Sequence, residues 1–327
     1  MRFYDSSTVR STLSVGRATY VLREALLDGV DPAADIPRTG ADVGEGRQLL
    51  TMPSASRDHA GVKFLTVHRG NAERGLPTIQ GVYVLCDGDT LAPVAVLDGT
   101  AITEIRTPAL SFAGILEIVR RRRENARVLR ESSGPVTLHV AIVGGGPQAV
   151  SHAAGVQELF GGEDGDVDIT FVVRTEREID CPVPHEVSTQ LPEGADLIIC
   201  ATSSAEPVVA DAEVTDHAVI VAMGAHDPKR REVPGDLIAR STVIVEDERV
   251  AREECGDIAL AIEEGALADG DWSTLRDVVA EPGLAAEIAD ARGPVVYKTA
   301  GQGWEDLACA VEIVARAGDD GGEQMEG

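Results

Sequence analysis

The ten residues Val140-Ala141-Ile142-Val143-Gly144-Gly145-Gly146-Pro147-Gln148-Ala149 constrain this chain more than any other segment. An apolar β-branched run passes directly into G-x-G-x-x-A, and helical spacing follows, which is the strand–turn–helix setting of a dinucleotide-binding turn. Gly144 permits the tight turn, Gly146 lets a pyrophosphate approach the backbone, and Ala149 lets the helix pack closely on the strand. The helix N-terminus offers free N–H groups and the positive end of its dipole. A glycine-rich turn without a ligand is the plainer alternative, but the context speaks against it. From Val136 onward, apolar strand-like runs at 136–143, 168–174, 195–201, 217–223 and 241–246 alternate with helix-like segments. That alternation predicts an α/β domain with a Rossmann-type, doubly wound parallel sheet.

Cofactor choice is read at the end of the second strand, where an NAD enzyme usually carries an acidic residue for the ribose hydroxyls. Here the run is Ile169-Thr170-Phe171-Val172-Val173-Arg174-Thr175, so the acidic position is apolar and Arg174 follows. A guanidinium there suits a 2′-phosphate. NADP(H) is therefore the expected cofactor, with NAD(H) also accommodated, while a solvated surface role for Arg174 is the alternative. A later strand ends in Cys200-Ala201-Thr202-Ser203-Ser204, whose small polar Thr202 and Ser203 would line the crevice near the nicotinamide ribose.

The first third reads differently. Val15, Ala18, Val21, Leu22, Ala25 and Leu26 form one helical stripe ending at Gly29, and short β-rich runs at 62–67, 81–85 and 93–97 predict neighbouring antiparallel strands. A connecting helix is expected over 107–131, and Trp304 to Ala317 reads as a last helix with an apolar face. The organisation expected is a smaller α+β substrate and dimerisation domain, residues 1–115 completed by 303–327, and a dinucleotide-binding domain, 116–302. The Gly- and acid-rich end, 318–327, is expected to fray.

Fifty-five Asp and Glu residues face 29 Lys and Arg, a formal charge of −26, yet 43% of the residues are apolar, so the chain should fold inside a negative shell. Such a field repels phosphate backbones and anionic lipid and disfavours nucleic-acid or membrane-surface binding. The one basic run, Arg120 to Arg123, reads as an exposed helix face. Only Lys63, Lys229 and Lys298 are lysines. An acidic, lysine-poor chain resembles proteins of a high-salt cytoplasm, and a lysine that survives there is a candidate for chemistry. Five cysteines without CxxC or metal-ligand spacing, and no apolar N-terminal segment, lead to expectations of no metal site and a cytoplasmic location.

Several motifs then stand in a recognisable order: Thr51-Met52-Pro53, Gly61-Val62-Lys63, Asn71, Gly75-Leu76-Pro77, Leu97-Asp98-Gly99, Ile102-Thr103 and Arg106-Thr107-Pro108-Ala109. Beyond the glycine turn come Gly224-Ala225-His226-Asp227-Pro228 with Arg231-Glu232, then Glu254-Cys255-Gly256-Asp257-Ile258. Lys298-Thr299-Ala300-Gly301 and Glu305-Asp306-Leu307-Ala308 close the series. Their order resembles the ornithine cyclodeaminase and mu-crystallin family over nearly the whole chain. The resemblance implies a homodimer whose N-terminal domain supplies the dimer sheet and substrate contacts, with the last helix returning to that domain. It implies that Arg38, Lys63 and Arg106 hold the carboxylate of a small amino or imino acid, a task that suits fixed cations. Lys63 could also lend a proton. Gln148, Met223 and Lys298 join the cofactor-binding set on the same grounds.

Three departures from cyclodeaminases bear on the reaction. His226 holds the place of their catalytic aspartate, with Asp227 one residue late; Lys298 holds a second aspartate position; and Leu50 replaces an acidic residue before Met-Pro. The pattern looks more like the reductase and dehydrogenase branch, ketimine reductases and alanine dehydrogenases, with His226, or Asp227 in its stead, moving the proton. Ornithine cyclodeaminase, which converts L-ornithine to L-proline and ammonia and recycles its cofactor, is the alternative. A non-enzymatic dinucleotide or small-ligand binding protein is the third.

Overall fold

Asp5 ends the first strand and starts the first helix. Its carboxylate accepts the Thr8 N–H at 2.8 Å, satisfying a donor that the helix itself leaves free, so β1 (Arg2–Tyr4) gives way to α1 (Ser6–Thr12). Ser14 caps α2 (Val15–Leu27) in the same manner. The computed structural model describes residues 1–129, 136–162, 165–318 and 323–324. By their contacts, Met1–Ala109 with Gly301–Gly327 form one unit and Leu110–Ala300 the other.

In the first unit β2 (Thr39–Asp42), β3 (Arg47–Ala55), β4 (His59–His68), β5 (Ile79–Asp87) and β6 (Pro93–Asp98) run antiparallel, neighbour to neighbour. These strands extend the three runs expected from the sequence, and β1, β2 and β3 were not anticipated. Side chains alternate between the faces with period two. Met52, Lys63, Leu65, Tyr83, Leu85, Ala95 and Leu97 point one way and are buried. The opposite face is also apolar, yet Leu49, Phe64, Val82 and Val94 on it are exposed.

The long helix α3 (Gly99–Leu129) starts eight residues before the expected position, because the Asp98 carboxylate receives the Ala101 N–H at 2.7 Å. Pro108 lies inside it and removes only one backbone donor. Expected helix residues 130 and 131 lie outside the described residues.

The second unit is built on β7 (Leu138–Val143), β8 (Val167–Val172), β9 (Glu186–Ser188), β10 (Leu197–Cys200), β11 (Val219–Ala222), β12 (Thr242–Val245), β13 (Ser273–Thr274) and β14 (Val295–Lys298). Every pairing is parallel, in the order β13-β12-β14-β11-β10-β7-β8-β9. The strand order turns back on either side of β7. With right-handed crossovers, that reversal sends successive connections to opposite faces of the sheet. Five strands coincide with predicted runs. β14, in the middle of the sheet, was missed; its Tyr297 ring occupies the space that a Cβ on Gly114 of α3 would need.

The basic run is a correction to the sequence reading. Arg122 donates to the carbonyls of Ala218, Ala289 and Gly293, and Arg123 to those of Val136, Phe160 and Asp166, both half-buried. Guanidinium groups there satisfy carbonyls at helix and strand ends within the second unit. Arg121 pairs with Asp290 at 3.0 Å.

After β14 the chain forms α10 (Gly303–Ala317), preceded in order by α4 (Pro147–Phe160), α5 (Gly235–Ala239), α6 (Glu248–Glu254), α7 (Gly256–Glu263), α8 (Leu275–Ala280) and α9 (Leu284–Asp290). In the first unit, α10 packs against α2 and against β3, β4 and β5. Of the end expected to fray, the described residues are Gly318, which follows α10, and β15 (Glu323–Gln324), antiparallel to β1; residues 319–322 and 325–327 lie outside the described residues. No described helix is long and apolar enough to cross a membrane.

Candidate functional site

β7 ends at Val143 and α4 begins at Pro147, leaving the glycines to bridge them. Gly144 donates its N–H to the Val172 carbonyl at 2.9 Å and has φ +126°. A Cβ there would stand 2.5 Å from the Ala201 oxygen, so only glycine fits. Gly146 occupies the N-cap position of α4 without any side-chain cap, and no atom lies within 4 Å of where its Cβ would be. Pro147 in the first turn needs no hydrogen-bond acceptor. An uncapped helix start beside open space, with buried Ala149 in the first turn, has the shape and free N–H groups to accept an anionic group such as a pyrophosphate.

The other sequence candidates of this unit lie close by in the chain's strand ends. Gln148 is in the first turn of α4; Arg174 and Thr175, both exposed, follow β8; Thr202 and Ser203 follow β10; Met223 follows β11. All sit at or just beyond the C-terminal edge of the parallel sheet, where ligands of such sheets bind. Arg177, not singled out from the sequence, donates to the Gly145 carbonyl at 2.9 Å. His226 and Asp227 are exposed on the loop after β11. Asp227 shapes that loop, its carboxylate accepting the Lys229 N–H at 2.9 Å.

Beneath these loops lies a buried charge network. Glu232 accepts Thr202 N–H at 2.8 Å, Thr202 Oγ1–H at 2.7 Å and Gly224 N–H at 2.7 Å, tying the ends of β10 and β11 together. Asp257 accepts the N–H groups of Glu232 and Val233 at 2.7 and 2.9 Å. Lys298, fully buried, stands 3.1 Å from Asp257 Oδ2 and donates to the carbonyls of Ala222 and Ala225. Burial works against the Lys298 charge, but Asp257, Cys255 and Glu232 outweigh it and hold the ammonium above its usual value. Burial raises the Glu232 carboxyl to about 7, against the pull of Lys298 and Thr202. His152, also buried, joins the Gln148 carbonyl and Ser111 Oγ at 2.7 and 2.9 Å, and burial lowers it to about 4, a packing role.

The first unit gathers the three expected carboxylate ligands around the start of α10. Arg38 donates to the Gly301 carbonyl at 3.1 Å, and a Cβ on Gly301 (φ +81°) would run into the Arg106 guanidinium. Arg106 Nη1 donates to Glu305 at 2.9 Å, and Lys63 Nζ to Asp306 at 2.8 Å. Lys63 has no exposed surface and Arg106 only 6%. Burial, then the charge of Arg106, lowers the Lys63 ammonium to about 8, with Asp306 and Glu305 opposing. Gly61 of the Gly-Val-Lys motif is glycine because the Tyr83 ring lies over it. Asp35 accepts the Trp304 N–H at 3.0 Å and the Ser54 hydroxyl at 2.7 Å, anchoring α10; burial raises its carboxyl.

Glu232, Asp257, Glu305 and Asp306 stood in the sequence motifs without an assigned role. Nothing in their spacing marks them, because they act through strands and helices that only tertiary structure brings together. Among the described residues, no group of three or more His, Cys, Asp or Glu side chains could hold a metal ion.

Comparison with known proteins supplies the remaining observations. Delta(1)-pyrroline-2-carboxylate reductase 1 of Burkholderia multivorans is 30% identical over 316 residues, 87% of this chain and 91% of that protein. Alanine dehydrogenase of Archaeoglobus fulgidus is 27% identical over 320 residues, 94% and 92% of the two chains. The structure of Thermococcus litoralis Delta(1)-pyrroline-2-carboxylate reductase in complex with NADH and L-proline matches with a TM-score of 0.80. At 21% identity it covers 99% of this chain and 100% of that one, and it shares the α/β fold with its parallel sheet. The model of the ornithine cyclodeaminase/mu-crystallin family matches residues 6–321, almost the full length, and this chain belongs to that family.

Proposed function

We propose that the chain is an NAD(P)-dependent oxidoreductase, NADP(H)-preferring, that transfers hydride between nicotinamide and the α-carbon of a small imino or amino acid. The observation that carries this reading is the set of cations at the head of α10: Arg38, Arg106 and Lys63, fixed by Gly301, Glu305 and Asp306. Fixed guanidinium groups suit a carboxylate, and they occur in a chain that also has an uncapped dinucleotide turn. Relatives named as pyrroline-2-carboxylate reductase and alanine dehydrogenase support the same reaction class.

Arg38 and Arg106 hold the substrate carboxylate. Lys63 stands behind them as the proton donor to the imine nitrogen. Lowered to about 8, its ammonium is charged at neutral pH yet gives up a proton more readily than a solvated lysine. Because it is covered, a substrate group reaches it only in place of what covers it now. His226, with Asp227 as the fallback, is the second proton-transfer group, at an exposed loop. Gly144, Gly146, Gln148, Ala149, Thr202, Ser203 and Met223 receive the dinucleotide, which when bound supplies or accepts the hydride. Arg174 and Thr175 meet a 2′-phosphate. Lys298 serves the cofactor from beneath, by holding the Ala222 and Ala225 carbonyls.

The exposed apolar sheet face of Leu49, Phe64, Val82 and Val94 supports a homodimer joined there. Five free cysteines fit a reducing cytoplasm, and the acidic, lysine-poor composition fits a high-salt one. The test is a screen of cyclic imino acids, pyruvate with ammonia, and L-ornithine with both cofactors, followed at the nicotinamide absorbance. Continuous cofactor oxidation with an imino acid is expected. Ammonia release from ornithine without net cofactor consumption would overturn the reading in favour of a cyclodeaminase.

A further inference from the structure

We infer that Asp306 is a positioning residue for Lys63: from the first turn of α10 its carboxylate holds the buried ammonium in place and charged, while Glu305 does the same for Arg106. The inference rests on the proposed role of Lys63 as proton donor and adds what makes that role workable.

The geometry is specific. Asp306 lies 2.8 and 2.7 Å from Lys63 Nζ through its two oxygens and 3.5 Å from Arg106 Nε, so one carboxylate bridges both cations. Glu305 Oε2 takes Arg106 Nη1 at 2.9 Å, while its Oε1 receives the Gln302 N–H at 2.7 Å and thereby fixes the side chain to the helix start. Lys63, Asp306 and Glu305 have no exposed side-chain surface. A buried ammonium beside a guanidinium would shed its proton without a counter-charge. Among the described residues, the charged or titratable groups around Lys63 are Arg106 from α3; Asp306, Glu305 and Cys309 from α10; Tyr83 across the strand pair; and Asp35, which faces Tyr83. Asp306 bonds the ammonium directly, at 2.8 Å.

In the reduction, hydride adds to the imine carbon and the C=N π pair moves to nitrogen, which takes a proton from Lys63. The products are the amine, oxidised nicotinamide and neutral Lys63, which regains a proton from water. Asp306 acts by its place beside Nζ, favouring the charged form of Lys63 from which the step begins.

The chain has only three lysines, so selective lysine labelling yields three side-chain NMR signals, assignable with single Lys→Arg variants. In the wild type the Lys63 signal is expected to titrate near pH 8. In Asp306→Asn its midpoint should fall by at least one pH unit, the basic limb of kcat/KM should move down with it, and NADPH affinity should stay within twofold. Asp306→Glu should recover at least half of the shift. A folded Asp306→Asn whose Lys63 midpoint stays put overturns the inference. Should that variant fail to fold, the wild type decides: Lys63 already uncharged at pH 6.5 overturns the inference, and Lys63 charged to near pH 8 upholds it. If no imino acid is reduced by the wild type, the proposed reaction fails while the titration still reports on the Asp306–Lys63 pair.

Discussion

Replacing Glu232 by glutamine keeps the shape of the side chain but removes its charge and one acceptor oxygen. The carboxylate receives Thr202 N–H, Thr202 Oγ1–H and Gly224 N–H, so an amide nitrogen must face one of these donors. Leaving a buried N–H without an acceptor costs about 1–3 kcal/mol. Against this stands the cost of burying the charge. The carboxyl is raised by burial from 4.5 to about 7. Its contribution to stability is therefore complete below pH 4.5, where both states are protonated, and is lost as pH rises to 7, because the unfolded chain ionises first. At about 1.4 kcal/mol per pKa unit, that loss is roughly 3 kcal/mol between pH 4 and pH 8. The variant has no such titration. Its urea midpoint should lie below that of the parent at pH 4.5 and draw level with it or pass it by pH 8. Cofactor affinity should fall at every pH, because the tie between the ends of β10 and β11 is loosened. A stability difference between parent and variant that does not change with pH would refute the reasoning.

Gly144→Ala should lower NADPH affinity more than tenfold by fluorescence titration, since the positive φ and the Ala201 carbonyl leave no room for a Cβ. Arg174→Ala should weaken NADPH at least tenfold and leave NADH unchanged; equal losses would remove Arg174 from 2′-phosphate recognition. Phe64→Glu with Val82→Glu should convert a dimer into monomers by light scattering, because each places a charge on the exposed apolar sheet face. Withdrawing salt should lower the melting temperature, as 55 acidic residues against 29 basic ones lose their screening.

What the sequence determined by itself is the local grammar. Gly144, Gly146 and Ala149 announce a tight strand-to-helix turn because the need for positive φ, an open cap and a small packing residue is written in residue type. Of the five parallel strands that announce themselves, β10 and β11 do so most plainly, because a strand buried on both faces must be apolar throughout. Tertiary structure alone decided the rest. Arg122 and Arg123 read as a solvated face, since a run of like charge says nothing of the carbonyls that folding brings to it. β14 is no shorter than β11 and β12, yet its place between them is set by pairing with strands 73 and 50 residues or more earlier in the chain, which no local pattern reports. Lys63 and Asp306 are 243 positions apart, and Arg106 and Glu305 199. Local spacing cannot report a counter-charge across such distances, because it is the docking of α10 on β4, not any property of the chain nearby, that takes these ions out of water together.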